Sequence, residues 1–340
     1  MKTLLVDGYW NLKRNFHKRR NLTAKGENCA GVFGFLDSLR LVITRHLPDR
    51  VVVMWDGFNA GKLRYEVYKP YKASKQKDWN KEKNMLASEW GGTADDRQDY
   101  DIFTQKIKVQ NFLENLFVRQ VEVDYIEADD LIALYILNNQ NVNEEIIIFS
   151  RDNDYYQLVS EKVSVLNPGN FNLITASNFQ KILGYPIENE LLLKCFEGDD
   201  SDDIGGVKGV SRKKMLKFFP ELSKSKYLYK QLVDDAYESQ KTKKLKIYDS
   251  VIKSQDILYR NAKLMNLKKP FFNKEAEKEI ENVLHNTLSS DRSIGEAMKM
   301  FTQFGYLNFL DCEVDYFFTS FYRIMTKEKE YTNLINNLKL

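Results

Sequence analysis

Residues 145–154 read EIIIFSRDND, in which an apolar, β-branched run stops at Ser150 and is followed at once by Asp152 and Asp154. Runs of this length and composition are typical of strands that are buried on both faces of a parallel sheet. Alternate acids just past such a strand either hold a cation between them or form a turn. The segment therefore predicts a buried strand followed by a metal site or a polar turn.

Two more apolar runs stop at an acid, since residues 3–7 (TLLVD) end at Asp7 and residues 51–56 (VVVMWD) end at Asp56. Helices are predicted over residues 28–47, 103–117 and 128–138, and further strands over residues 121–125 and 162–166. Alternating strands and helices predict an α/β domain, and after about residue 189 the pattern is mostly helical. Ligands of open parallel sheets bind beyond the carboxyl ends of the strands, which is where these acids lie.

A third group of acids, Glu127, Asp129 and Asp130, opens the helix predicted over residues 128–138. Their spacing puts Glu127 and Asp130 on one helical face. Acids in a first helical turn also offset the helix dipole, so capping is an alternative for this group taken alone. Carboxylates gathered in one place repel each other unless cations lie among them. Their recurrence at strand ends therefore favours a divalent-metal site and metal-dependent phosphoryl transfer or hydrolysis.

The overall composition excludes fewer classes of function than these motifs do. The 340 residues include 51 Lys and Arg against 48 Asp and Glu, so nucleic-acid binding has to come from local basic patches. Cys29, Cys195 and Cys312 form no CxxC pair, which argues against a zinc site and a disulfide framework. No long apolar run occurs and Asp7 precedes any signal-peptide core, so we expect a cytoplasmic protein, or one in the host cytoplasm if a phage encodes it.

Residues 198–210, GDDSDDIGGVKGV, combine clustered acids with glycines and lead into Ser211, Arg212, Lys213 and Lys214. Glycines allow backbone amides to approach a phosphate closely, and a basic helix start adds donors and charge. The string resembles a calcium-binding loop only superficially, because it lacks the closing glutamate of that loop. We interpret it as a phosphate-contacting turn that also carries acids.

Five motifs, VDGYWNL, the DG after the second strand, IEADDL, SRDNDYYQL and GDDSDDIGGVKGV, occur in an order and spacing similar to those of the flap endonuclease and 5′-3′ exonuclease family. Over roughly residues 1–220 the chain resembles standalone phage and bacterial members, including the ribonuclease H of T-even phages. The resemblance implies an α/β, parallel-sheet 5′-nuclease core of the PIN-like or resolvase-like kind at residues 1–190, with a substrate arch at about 62–100. It also implies a mostly helical region at 191–340, with a helix-three-turn-helix at about 192–219.

The resemblance also implies functional residues. The implied metal ligands, which are also the implied catalytic acids, are Asp7, Asp56, Glu127, Asp129, Asp130, Asp152, Asp154, Asp199 and Asp202. Lys72 is expected to contact the scissile phosphate with Tyr71 stacking beside it, and Lys75 stands where many relatives carry an arginine. A lysine offers a single point charge, whereas an arginine can donate two parallel hydrogen bonds to a phosphate. The residues expected to bind nucleic acid in the duplex region are Lys208, Arg212, Lys213 and Lys214.

The predicted arch also has a composition suited to single-stranded nucleic acid. Over residues 62–83, basic residues outnumber acids, and Tyr65, Tyr68, Tyr71 and Trp79 are interleaved with them. Basic side chains bind phosphates while aromatic faces stack on bases. A solvated basic helix is the alternative, and the neighbouring acids favour the nucleic-acid interpretation. Two departures from the family pattern are Asp203, where relatives usually have asparagine, and Ser211, which replaces the last glycine of the usual turn.

We therefore predict a structure-selective 5′ nuclease with two Mg²⁺ or Mn²⁺ ions about 4 Å apart. The resemblance adds K⁺ at the helix-three-turn-helix and, as substrates, branched or 5′-ended DNA and RNA–DNA hybrids in primer removal, replication or repair. A single-strand-binding protein and a sliding clamp are candidate partners, and a monomer that does not bind membranes is expected.

Two alternatives remain open at this point. A PIN-type ribonuclease shares an acidic α/β site but lacks a turn like residues 198–209. A catalytically silent DNA-structure binder would keep the basic surfaces and lose acids, whereas every expected ligand position here carries one.

Overall fold

The computed structural model describes residues 1–19, 22–73, 94–139 and 143–338, with the side chains of residues 94–100 and 338 excepted. The described residues fall into two compact units. The first lies within Met1–Phe58, Asn80–Ser150 and Phe272–Leu340, and the second within Asn59–Trp79 and Arg151–Phe271. Residues 74–93, which hold Lys75 and much of the predicted arch, lie outside the described residues.

The secondary structure alternates at first and then becomes helical. The strands are β1 Lys2–Asp7, β2 Thr23–Ala24, β3 Glu27–Asn28, β4 Arg50–Asp56, β5 Arg119–Val123, β6 Glu145–Phe149, β7 Val163–Leu166, β8 Leu173–Ile174, β9 Gly198–Asp199 and β10 Ile204–Gly205. The helices are α1 Gly8–Lys18, α2 Ala30–His46, α3 Lys62–Val67, α4 Ala94–Asn115, α5 Ala128–Asn138, α6 Ala176–Leu183, α7 Glu190–Glu197, α8 Arg212–Phe218, α9 Tyr229–Thr242, α10 Lys246–Ile252, α11 Gln255–Met265, α12 Lys274–His285, α13 Ile294–Gln303 and α14 Val314–Leu338.

The first unit is built around parallel strands in the order β5-β4-β1-β6. Leu4, Leu5 and Val6 of β1 have no exposed surface, as expected for a central strand that is covered on both faces. The helix α2 contributes to that cover, and its Phe35 stacks on Trp55 of β4 with ring centroids 5.7 Å apart. Burial on both faces explains why these strands read as continuous apolar runs in the sequence.

The C-terminal helices of the first unit are joined to its sheet by a buried ion pair. Arg119 of β5 donates two hydrogen bonds to Glu328 of α14, at 2.8 and 2.6 Å, and both side chains are 3% exposed. Arg50 of β4 lies 3.7 Å from the same carboxylate. The first unit therefore includes the last helices of the chain together with the parallel strands. The domain boundary near residue 190 stays a prediction.

The second unit contains the predicted helix-three-turn-helix segment. There α7 is followed by the antiparallel hairpin of β9 and β10 and then by α8. The hairpin packs tightly, because a Cβ atom on Gly198 would lie 2.3 Å from the amide nitrogen of Gly206. Asn261 of α11 donates to the carbonyl of Cys195 in α7 at 2.8 Å, which ties a later helix to this segment.

The structure confirms the predicted fold class, a mostly parallel α/β core followed by a mostly helical C-terminal region. The predicted helix over residues 128–138 has the observed bounds of α5, and the predicted strands lie within two residues of β1, β4, β5, β6 and β7. In the described part of the chain, no helix is long and apolar enough to cross a bilayer.

Candidate functional site

Asp7 and Asp56 lie at the carboxyl ends of adjacent parallel strands. Asp7 pairs in register with Met54, so Asp56 is two residues further along β4 at the same edge of the sheet. Asp7 accepts a hydrogen bond from the amide of Trp10 at 3.1 Å and one from the Ser150 hydroxyl at 3.2 Å. The carboxylate of Asp7 is thus fixed by the start of α1 and by the end of β6.

The start of α5 gathers the next three acids beside Asp56. The carboxylate of Asp56 accepts a hydrogen bond from the amide of Ala128 at 2.8 Å, whereas Glu127 makes no side-chain capping bond to its own helix. One ligand oxygen from each of Glu127, Asp129 and Asp130 lies within 4.8 Å of the others. Glu127 therefore makes no capping hydrogen bond, while Asp129 and Asp130 lie in the first turn of α5, where acids also offset the helix dipole.

This first carboxylate group is largely withdrawn from water. Glu127 is 5% exposed and Asp130 is 1% exposed. The turn after β4 brings the chain close to β5, because a Cβ atom on Gly57 would lie 1.8 Å from the Val123 carbonyl oxygen. Only glycine fits there, which explains the DG pair noted in the sequence. Ionised carboxylates at such depth need cationic partners.

The second unit holds the other four predicted ligands, and there the sequence reasoning missed Lys194. Its ammonium, on a side chain only 9% exposed, forms a close ion pair with Asp154 and lies 3.0 Å from Asp199. A lysine inside the apolar run LLLKCF was the signal that could have identified it. Burial by itself lowers the pKa of Lys194, but the two carboxylates outweigh burial and raise it, so the side chain stays an ammonium.

The carboxylates around Lys194 differ in their protonation behaviour. Burial raises the pKa of Asp154 to about 7, and the charge of Asp152 adds to the rise. Burial acts on Asp199 in the same direction, but Lys194 and the donors of Ser201 outweigh it and lower the pKa of Asp199. Asp152 is exposed and accepts from the amide of Asp154 at 2.8 Å, which is the turn contact considered from sequence. The pair after β6 therefore combines a turn with an acid, Asp154, whose side chain is 17% exposed.

Asp202 connects the acids of the second unit with Tyr71 and Lys72, in the described first part of the predicted arch. Its backbone carbonyl accepts from the amide of Lys72 at 2.9 Å, and its carboxylate lies 3.8 Å from the Lys72 ammonium. The Tyr71 hydroxyl donates to the same carboxylate at 3.2 Å. Tyr71 is 1% exposed, so a base could stack on its ring only after the surrounding chain moved. The neighbouring Asp203 has φ of 57°, a left-handed conformation that aspartate and asparagine tolerate better than most residues.

The residues expected to contact duplex nucleic acid occupy different environments. Arg212 bonds to Glu190 at 3.0 and 3.1 Å, so its guanidinium is engaged inside the protein. Lys213 is exposed, and Lys214 donates to the carbonyl of Gly209 at 2.7 Å. Ser211 caps α8 by accepting from the amide of Lys214, which gives the departure from glycine a structural role. The remaining member, Lys208, is exposed on the turn before α8.

The first carboxylate group fits a divalent metal ion, because Glu127, Asp129 and Asp130 each offer a ligand oxygen within 4.8 Å of the others. The acids of the second unit offer the same type of donor. Their donors are all carboxylate oxygens, the ligand type that Mg²⁺ and Mn²⁺ take. Burial, and after it the charge of Asp152, raise the pKa of Asp154, and a bound cation would favour its ionised form. The nine predicted ligands thus form two groups, Asp7, Asp56, Glu127, Asp129 and Asp130 in the first unit, and Asp152, Asp154, Asp199 and Asp202 in the second.

The family model for the 5′-3′ exonuclease N-terminal resolvase-like domain matches residues 2–184. The chain belongs to this 5′-3′ exonuclease family. Among members of the family, thermostable DNA polymerase I of Thermus filiformis is 31% identical over 231 residues, covering 68% of this chain and 25% of the polymerase. A 5′-3′ exonuclease of Buchnera aphidicola subsp. Schizaphis graminum is 23% identical over 275 residues, covering 79% of this chain and 82% of that exonuclease.

A solved structure shares the fold. The bacteriophage T5 D15 flap endonuclease, in a pseudo-enzyme-product complex with DNA and metal ions, matches with a TM-score of 0.61 and 15% sequence identity. The match covers 90% of this chain and all of that chain. The chain spans about a quarter of the length of the polymerases that it matches. These comparisons support the family and the resolvase-like fold predicted from the motifs.

Proposed function

We propose that the chain is a metal-dependent 5′ nuclease that hydrolyses phosphodiesters in flapped or 5′-ended DNA. The observation that carries this proposal is the buried cluster of Glu127, Asp129 and Asp130, whose ligand oxygens lie within 4.8 Å of one another. A buried set of this kind is suited to a divalent cation and is costly without one. Membership of the 5′-3′ exonuclease family supports the reaction class.

Each carboxylate group has a distinct task in this proposal. The acids beside Asp56 would hold one divalent ion, and those around Lys194 a second. Bound Mg²⁺ or Mn²⁺ ions supply charge to phosphoryl oxygens and acidify a coordinated water. Lys194 limits the repulsion between Asp154 and Asp199, and so keeps these carboxylates in place for a metal. Ser150 and the start of α1 orient Asp7 through hydrogen bonds.

Lys72 is proposed to bind the scissile phosphate. Its ammonium lies 3.8 Å from Asp202 on a side chain that is 29% exposed, so it is accessible and close to a proposed metal ligand. A cation at that place would neutralise charge that develops on the phosphate during cleavage. The proposed role of Tyr71 is to orient Asp202 through its hydroxyl, in preference to stacking on a base.

The finer parts of the proposal concern substrate and setting. We propose DNA as the main substrate because the T5 flap endonuclease was solved with DNA and metal ions. We extend the proposal to primer removal in replication or repair. The extended proposal includes activity on RNA–DNA hybrids, K⁺ bound at the segment from α7 to α8, and recruitment by a single-strand-binding protein or a sliding clamp.

Cleavage of a labelled 5′-flap DNA tests the proposal. The assay compares Mg²⁺ with EDTA, and the wild type with Asp130→Asn and Asp154→Asn. Exposed acids of the same two units provide matched controls, Asp311→Asn and Asp234→Asn. We expect Mg²⁺-dependent cleavage that both site variants lose and both controls keep. Cleavage that persists in EDTA would contradict the metal mechanism.

Two other outcomes separate the alternatives. Binding of the flap DNA without cleavage in Mg²⁺ would favour the silent DNA-structure binder. Faster cleavage of single-stranded RNA than of flap DNA would favour a PIN-type ribonuclease.

A further inference from the structure

An open cavity of about 380 Å³ lies in the second unit beside the turn that precedes α8. Three lysines line it, Lys208 from the turn, Lys246 from the start of α10 and Lys253 from the link between α10 and α11. Ser250 and Ser254 contribute to the same wall. We call this cavity the lysine pocket. Of these five residues, Lys208 alone lies within a family motif.

The charge of the lysine pocket is unbalanced. All three lysines are exposed, and none forms an ion pair with a carboxylate in the part of the chain that the structure describes. Asp249 is the only acid among the lining residues, and its carboxylate accepts a hydrogen bond from Gln240 at 2.6 Å. Three ammonium groups around one space repel one another, and an anion in that space would relieve the repulsion.

The backbone around the lysine pocket is held by hydrogen bonds. The Ser250 hydroxyl donates to the carbonyl of Lys208 at 3.4 Å, which ties α10 to the turn. Ser254 is 1% exposed, and its hydroxyl donates to the carbonyl of Val251 at 2.6 Å. The lysines therefore project from fixed backbone positions, and less conformational entropy is lost when they bind a ligand together.

We infer that the lysine pocket binds a phosphate group of a nucleic-acid backbone, with Lys246 and Lys253 as binding residues beside Lys208. This inference rests on the proposed function, since it assigns the pocket to the duplex part of the nuclease substrate. The pocket is open and larger than one phosphate, so a continuous backbone can pass through it. Lys213 and Lys214 follow Lys208 on the next helix and are also exposed.

The test compares two double variants that remove the same charge. Lys246→Gln with Lys253→Gln alters the pocket, while Lys226→Gln with Lys230→Gln alters exposed lysines of the same unit that do not line it. Fluorescence anisotropy measures the Kd of each protein for a labelled flap duplex in EDTA over a series of salt concentrations. We expect the pocket variant to bind the duplex about tenfold more weakly. The slope of log K against log salt concentration should become shallower by about 0.9 for each phosphate that the variant no longer neutralises. The control should stay within about twofold of the wild type.

Each remaining outcome has a separate meaning. If the wild type cleaves the flap and the pocket variant binds like the control, the pocket inference is wrong and the proposed function stands. A wild type that neither binds nor cleaves flap DNA would overturn both. If the pocket variant keeps the duplex Kd of the wild type and loses only the binding of inorganic phosphate, the pocket binds free phosphate and the backbone assignment is wrong.

Discussion

Replacing Lys194 by methionine removes the cation that the structure places between Asp154 and Asp199 while keeping most of the side-chain volume. The ammonium lies 3.0 Å from Asp199, which corresponds to an attraction of about 5–6 kcal/mol at an effective dielectric constant of about 20. The cost of burying the lysine offsets part of that attraction. Removing one partner of a buried ion pair typically costs about 3–5 kcal/mol, because the remaining charge stays buried without a partner.

We therefore expect Lys194→Met to lower the free energy of unfolding by about 3–5 kcal/mol in EDTA, measured by urea denaturation with circular dichroism. Lys181→Met, at an exposed position of the same unit, is the control and should change the free energy of unfolding by less than about 0.5 kcal/mol. The double variant Lys194→Met with Asp154→Asn should recover much of that stability, because one of the unpaired charges is gone.

Metal should affect this variant more than the wild type. A bound divalent ion replaces the charge that Lys194 supplied, so saturating Mg²⁺ should stabilise Lys194→Met by a larger amount than it stabilises the wild type. The reasoning is refuted if Lys194→Met lies within about 1 kcal/mol of Lys181→Met in EDTA, or if the double variant is no more stable than Lys194→Met alone.

Three further perturbations concern protonation, a buried ion pair and the proposed phosphate contact. Burial raises the pKa of Asp154 from 3.8 to about 7, so between these pH values the folded metal-free protein keeps a proton that the unfolded chain releases. Asp154 should therefore make the free energy of unfolding fall as the pH rises from about 4 to about 7. Asp154→Asn should remove that part of the slope in EDTA, and an unchanged slope would contradict the prediction. Glu328→Gln should lower the free energy of unfolding by about 3–5 kcal/mol, because Arg119 and Arg50 lose their carboxylate partner. The control Glu330→Gln, in a surface ion pair on the same helix, should lower it by less than about 0.5 kcal/mol in the same denaturation assay. Lys72→Ala should slow single-turnover flap cleavage far more than it weakens binding, with exposed Lys69→Ala as the control, and equal reductions would make Lys72 a binding residue only.

The strands of the first unit, the helix α5 and the acids at their ends could all be predicted from sequence. Strand and helix formation there follows from the local periodicity of apolar residues, which is visible within a few residues of chain. The family motifs then predicted which acids belong to the metal-binding set. The prediction was strongest where one short segment, such as residues 145–154, contained both the strand and its acids.

Only the tertiary structure decided which charges are buried together. Arg119 and Glu328 are 209 residues apart in sequence, and their ion pair shows why the last helices belong with the sheet. Lys194 between two carboxylates, the buried ring of Tyr71 and the three lysines around one cavity are likewise contacts between distant segments. Periodicity reports which face of an element is apolar, but it does not report which distant charge that face will meet. The energy of a buried charge depends on that neighbour, so these features could not be predicted before the chain was folded.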